Sequence, residues 1–164
     1  MKTYTKTYDS PLGKLKLQST DEHITAVLFD EPGESPANDN HFLLQQCRSQ
    51  LDEYFTGKRV QFDLPLQQEG TVFQQKIWDL ISQIPFGKTI SYHQLATQYG
   101  DLKAIRAVAS ANGKNKLAII IPCHRVIGTN NSLTGYAGGL WRKKWLLEHE
   151  SKHHAGVEQL GLHF

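Results

Sequence analysis

Cysteine is scarce in this 164-residue chain: Cys47 and Cys123 are the only two. Two thiols make a poor disulfide framework in a chain expected to stay in a reducing compartment. They are also too few for a structural zinc site, which usually takes four Cys or His ligands at close spacing. His149, His153 and His154 cluster near the end, and the first two could share a helix face. A solvated histidine-rich tail accounts for them, and neither a metal nor a cofactor is expected. Long apolar runs are missing too. Nothing approaches the ~18 consecutive apolar residues of a membrane-spanning helix. The opening MKTYTKTYDSPLGKLKL alternates polar and apolar residues and has no signal-peptide core. The expectation is a cytoplasmic protein with no membrane partner. Internal repeats and low-complexity segments are also lacking.

What is present is ordinary globular material, 39% apolar and 21% charged. The length suits one domain with a small N-terminal appendage. The net charge of +2 hides an asymmetry. Residues 1–75 hold seven Lys or Arg against eleven Asp or Glu, whereas residues 86–150 hold nine against three. A solvated face and a polyanion site both fit such a basic half.

The first thirty residues read as β-structure. KTYTKTY, KLKLQS and ITAVLF are candidate strands, separated by the turn signals SPLG and TDEH. HFLLQQCRSQLDEYFTG has a helical apolar period that includes Cys47, which makes that thiol a core residue, and Gly57 stops the helix. RVQFDLPL is a further extended segment. From Thr71 the pattern becomes helical. TVFQQKIWDLISQIP carries Phe73, Ile77, Leu80, Ile81 and Ile84 on one face and ends at Pro85. In SYHQLATQYG, Ser91 and Gln94 form a capping box and Gly100 is the stop. Asp101 can cap the next helix, LKAIRAVASAN, whose apolar stripe is read as 102, 105, 108 and 109. Lys103, Arg106 and Ser110 lie opposite, with the small residue Ala107 between them. The pair reads as a helix-turn-helix, although a helical hairpin in a core would look similar. A last helix, LWRKKWLLEHE, follows the glycine-rich TGYAGG, and residues 151–164 are expected to form a loose tail.

KLAIIIPC reads as a fully buried strand ending at Pro122, so that Cys123 emerges at its end. On these residues alone Cys123 is a core thiol or a nucleophile. A free thiol is only roughly 3% ionised at neutral pH, so a nucleophile needs help. His124 is the nearest base, and Glu150 on the last helix is a carboxylate that could orient it.

IPCHRV, preceded by SYHQLA and AIRAVASANGKN and followed by GYAGGLWRKKWLLEHE, closely resembles the O6-alkylguanine-DNA alkyltransferases. The resemblance runs from about Thr71 to Glu150 with nearly constant spacing. It implies a ribonuclease H-like α/β N-terminal subdomain, a small antiparallel sheet plus helix, at 1–70. A mainly α domain with a winged helix-turn-helix follows at 71–150, then the tail at 151–164. It implies a repair protein that binds double-stranded DNA containing O6-alkylguanine, flips the base out and moves the alkyl group irreversibly to Cys123, with O4-alkylthymine as a further candidate substrate. His124 then matches the water-linked base and Glu150 its orienting carboxylate. Asn115 matches a hinge asparagine. Tyr92 matches a tyrosine that turns the target phosphate and protonates the leaving guanine. Arg106 matches the arginine that fills the vacated stack. Lys103, Ala107, Ser110 and Arg125 join Arg106 and Tyr92 on the DNA side, while Tyr136, Ala137 and Gly138 form the base-pocket wall. A monomer is expected, with cooperative binding along DNA left open.

Some positions depart from the commonest pattern, among them Leu102 in place of proline, Ile105 in place of alanine, and Ala137 in place of serine. Ile105 is expected to pack on its helix's apolar stripe. Three other readings compete. A non-catalytic alkyl-lesion-binding protein would lack the acceptor cysteine. A cysteine hydrolase would not need the basic helix-turn-helix, and a transcription regulator would not need PCHR.

Overall fold

The computed structural model describes residues 2–30, 36–128 and 135–159, with side chains as far as His154. The chain forms two compact units, one of residues 1–69 with 116–120 and one of 70–115 with 121–164.

The first unit is built on a three-stranded antiparallel sheet: β1 (Tyr4–Ser10), β2 (Gly13–Ser19) and β3 (Ile24–Phe29), in that order. The alternation read in the sequence is the cause. Leu15 and Leu17 are fully buried, while Lys14 between the turn and Leu15 is exposed. The two-residue turn between β1 and β2 ends on Gly13, whose φ of 97° suits a residue without a Cβ. Helix α1 (Phe42–Phe55) packs on β1 and β2 through Leu43, Leu44, Cys47, Leu51 and Tyr54. Burial pushes the Cys47 thiol up to about 12, leaving it an inert part of this core. The outer edge of β3 is met by two short stretches. Ile24 exchanges backbone bonds with Pro65 and Gln67, and Val27 with Lys116 and Ala118.

The second unit is helical. Helix α2 (Val72–Ser82) starts at Thr71 in a reciprocal capping box with Gln74, and its Trp78 indole donates to the Ala111 carbonyl at 2.9 Å. A two-residue strand, β4 (Ile90–Ser91), leads into α3 (Tyr92–Tyr99), with the expected Ser91–Gln94 box and a left-handed Gly100 at the end. Asp101 caps one 3-10 turn, Leu102–Ala104, which runs into α4 (Ile105–Gly113). Helices α2, α3 and α4 pack on one another, and α3 and α4 form the helix-turn-helix. Strand β5 (Val126–Ile127) pairs in parallel with β4 and places Tyr92 beside the segment that follows Cys123. Helix α5 runs from Leu140 to Gln159.

Three expectations fail here. The stretch 117–122 is not a strand. Leu117 makes one bridge, Ile119 then turns back at φ 72°, and two three-residue turns close at Ile120→Ala118 (2.8 Å) and Cys123→Ile121 (2.7 Å). Its apolar run reports burial without a ladder, since all of 117–127 is buried. The stripe of α4 is shifted. Val108, Ala111 and Asn112 are buried, whereas Leu102 is 47% exposed. The loose tail expected from residue 151 is helical as far as Gln159, and His149 is buried, stacked on Trp145 and in tilted ring contact with His153. A side chain with ring contacts to both neighbours one turn away need not be solvated. No helix among the described residues is long and apolar enough to cross a membrane.

Candidate active site

Pro122 stops the backbone and the next three residues, Cys123–Arg125, form a single 3-10 turn. This tight turn sends three adjacent side chains in different directions, and all three are buried: Cys123 at 5% exposure, His124 at 0% and Arg125 at 6%. Burial of that many polar groups has to be compensated. The compensation comes from α5.

Glu150, 1% exposed, collects four donors. Its Oε2 lies 2.7 Å from His124 Nε2 and 3.0 Å from an Arg125 guanidinium nitrogen. Its Oε1 accepts from Arg125 Nε at 2.8 Å and from the Gly87 amide at 3.3 Å. The remaining Arg125 nitrogen donates to the Ile84 carbonyl at 2.6 Å. Burial alone would raise the Glu150 carboxyl. The charges and hydrogen bonds of His124 and Arg125 outweigh it and hold the group well below the usual carboxylate range. Gly87 is needed at φ 80°, where a Cβ would stand 2.5 Å from the His154 ring.

An ionised Glu150 fixes the histidine tautomer, because Nε2 must carry the hydrogen it donates. Burial lowers the His124 pKa, against the opposing pull of Glu150, so the ring is neutral at pH 7 with its lone pair on Nδ1. That Nδ1 is buried and has no hydrogen-bond partner among the described residues. Burial raises the Cys123 thiol, and a hydrogen bond from Asn115 and the charge of Lys143 act in the opposite sense. At rest the sulfur is a thiol with a neutral imidazole as its sequence neighbour.

Two asparagines fix the segment around the cysteine. Asn115 donates to the Ile121 carbonyl at 3.0 Å and Asn112 to the Cys123 carbonyl at 3.3 Å. A cavity of about 530 Å³ opens beside them, lined by Tyr92, Ile105, Arg106, Ala109, Asn112, Gly113, Gly135 and Tyr136. Lys103 on the 3-10 turn and Arg106, Ala107 and Ser110 along α4 are exposed. Lys143, on the buried side of α5, donates to the Val126 carbonyl at 2.7 Å and lies 5.9 Å from the centre of the Tyr92 ring. Burial lowers its pKa to about 8, while Cys123 pulls it back up.

The structure therefore gathers Cys123, His124, Glu150, Asn115, Tyr92, Arg106 and Tyr136 in one unit. It corrects four assignments. Arg125, expected on the DNA side, is locked onto Glu150 and Ile84, because the 3-10 turn points it at α5 and not outward. Ala137 is exposed and Gly138 buried, and neither lines the cavity, whose loop contribution is Gly135 and Tyr136. Ile105 faces the cavity and not the core, as the shifted stripe of α4 requires. Sequence reading missed Asn112 and Lys143. Asn112 follows Val108 and Ala111 on the otherwise apolar side of α4, and Lys143 shares the buried side of α5 with Leu146, His149 and Glu150. For Asn112 that pattern was the available signal.

Comparison with known proteins turns this geometry into a family. Residues 72–152 match the model described as the 6-O-methylguanine DNA methyltransferase DNA binding domain, and residues 3–68 match the ribonuclease-like domain of the same proteins. A constitutive methylated-DNA–protein-cysteine methyltransferase from Bacillus subtilis is 43% identical over 143 residues, covering 82% of this chain and 87% of the relative. The chain belongs to the 6-O-methylguanine DNA methyltransferase family. A second family member, from Mycolicibacterium paratuberculosis, is 42% identical over 90% of this chain and 92% of its own. Among solved family structures, the Mycobacterium tuberculosis O6-methylguanine methyltransferase superposes with a TM-score of 0.84 at 40% identity, covering 93% of this chain and 94% of that one. The Mycobacterium tuberculosis protein solved in complex with DNA gives 0.83 at the same identity, over 92% and 94%.

Proposed function

We propose that this protein repairs alkylated duplex DNA by moving the alkyl group of O6-alkylguanine to the sulfur of Cys123. The observation that carries the reading is the buried Cys123, joined by its own 3-10 turn to the His124–Glu150 pair and set beside a base-sized cavity. Family membership supports it, as does the likeness to a relative solved with DNA. It acts in the cytoplasm, as a monomer, on the chromosome. O4-alkylthymine is a secondary substrate in this reading.

The O6 atom lies inside the base stack, so the nucleotide must be extruded at a cost of a few kcal/mol. Arg106 projects from the exposed face of α4 at the rim of the cavity, where it can occupy the vacated stack. Lys103, Ala107 and Ser110 line the same exposed face, small residues beside a cation allowing close approach to the backbone. Beside the cavity the thiol gives its proton, through a water, to His124 Nδ1, and Glu150 stabilises the imidazolium that results. The sulfur attacks the alkyl carbon, the carbon–O6 bond breaks, and its electron pair leaves with guanine. Tyr92 hands the departing base a proton and recovers one from His124. Asn115 holds the loop and steadies the thiolate. Lys143 adds a positive charge to the same sulfur. The product is a thioether, and no group in the site can cleave it, so each molecule acts once.

The direct test is mass spectrometry of the protein after incubation with duplex DNA carrying one O6-methylguanine. One methyl per protein on the Cys123 peptide is expected, together with loss of the lesion. An unmodified Cys123 with the lesion intact would reject the reading. Arg106→Ala should slow repair of the duplex lesion by about tenfold or more, the extrusion step having lost its support. It should slow reaction with free O6-benzylguanine much less, since that base needs no extrusion. Equal losses on both substrates would remove Arg106 from the stack.

A further inference from the structure

Asn112 lines the cavity yet is only 3% exposed, and its amide is half used. Nδ2 donates to the Cys123 carbonyl. A carbonyl can only accept, so this bond fixes which way the amide is turned. Oδ1 then faces away from the cysteine backbone, buried, with no hydrogen-bond partner among the described residues. An acceptor left in that state is costly, and in a binding site it marks the place of a donor supplied by the ligand.

The ligand's chemistry narrows what that donor can be. Alkylation at O6 removes the hydrogen from N1 of guanine, and N3 and N7 are acceptors. The single remaining N–H donor on the base is the 2-amino group. O4-alkylthymine, alkylated next to a ring nitrogen that has likewise lost its hydrogen, has no base N–H donor at all. The Cys123 sulfur does not meet the need either, because in its attacking form it has no hydrogen to give.

We propose that Asn112 is a base-reading residue, whose Oδ1 accepts a hydrogen bond from the 2-amino group of the extruded O6-alkylguanine. This rests on the function proposed above. It makes the preference for guanine over bases lacking that amine a property of the helix-turn-helix itself, since α4 supplies both Arg106 at the rim and Asn112 at the back. A pocket that buries a polar atom for one substrate group discriminates against analogues without it, since the atom is then stranded.

The test compares methyl transfer to Cys123 from O6-methylguanine and from O6-methylhypoxanthine, which differ only by the 2-amino group, in the same duplex sequence. The unaltered protein is expected to favour the guanine lesion by on the order of tenfold. In Asn112→Leu, or in Asn112→Ala if the larger side chain prevents folding, the ratio should fall towards one, whatever happens to the absolute rates. Taking the ratio in both proteins cancels the effect of the missing amine on the duplex. A ratio near one in the unaltered protein overturns the proposal without any variant. A ratio that survives substitution also overturns it, reducing Asn112 to a clamp on the Cys123 carbonyl. In both cases methylation of Cys123 still upholds the repair function. Absence of methylation with both duplexes would reject that function as well.

Discussion

Replacing Cys123 by serine is expected to abolish methyl transfer while leaving affinity for DNA within about twofold. The substitution exchanges sulfur for oxygen at a site that is 5% exposed, so the turn and its partners have no reason to move. An alcohol is far harder to ionise than a thiol, and the neutral His124 beside it is too weak a base to make an alkoxide. A loss on the order of a thousandfold or more follows. The side chains proposed to meet DNA lie on α3, the 3-10 turn at Leu102–Ala104 and α4, not on the cysteine turn, and keep their positions. The measurement pairs mass spectrometry of the residue-123 peptide with fluorescence anisotropy on the methylated duplex. Methylation persisting in the variant would place the acceptor elsewhere. The other thiol is a poor alternative, because Cys47 is fully buried in the first unit with its pKa near 12.

The second large effect is on stability as much as on chemistry. Glu150→Gln keeps the shape of the side chain and removes its charge. Arg125 is then a buried cation bonded only to neutral oxygens, and breaking a buried ion pair in this way costs about 3–5 kcal/mol. Transfer should fall as well, since an imidazolium forming at His124 loses its counter-charge. The pH dependence has a definite sign. The carboxyl is held below its ordinary value of 4.5 in the folded protein, so the folded state binds this proton less readily than the unfolded chain. The stability it contributes is fully present above pH 4.5 and is lost as pH falls towards the folded value. Urea unfolding of both proteins at pH 7, 5 and 4 checks it. With His124→Gln in both backgrounds, so that the ring coupled to Glu150 does not titrate, the gap between them should be constant from 7 to 5 and then narrow, at a limiting rate of about 1.4 kcal/mol per pH unit. A gap that ignores pH would mean that Glu150 is not an ionised partner of His124 and Arg125.

Much of this architecture could be read from local rules. The β1–β3 sheet follows from alternation, and the helix-turn-helix from a capping box at Ser91 and a left-handed glycine at 100, each a signal contained within a few residues. The reading failed where partners come from far along the chain. Arg125 looks like a surface cation until Glu150, twenty-five residues later, is placed against it. His149 looks like part of a solvated tail until Trp145 stacks on its ring and His153 meets it at a tilt. Asn112 was visible as a polar residue on an apolar helix face and Lys143 as a cation one turn before Leu146, yet nothing local says that one turns towards Cys123 and the other towards Val126. The apolar run before the cysteine misled for a different reason, since burial and strand pairing produce the same composition.

That run contains a contest between two energies of similar size. A β-branched residue at φ 72° works against its own backbone by roughly 1–2 kcal/mol, and glycine or asparagine would relieve it. Yet Ile119 is 1% exposed, and burying such a side chain is worth about 1.5–3 kcal/mol. The side chain wins by a narrow margin. The shape of this loop is thus dictated from its inside, as a peg holds a bent cord, and a substitution kinder to the backbone would loosen the bend it was meant to ease.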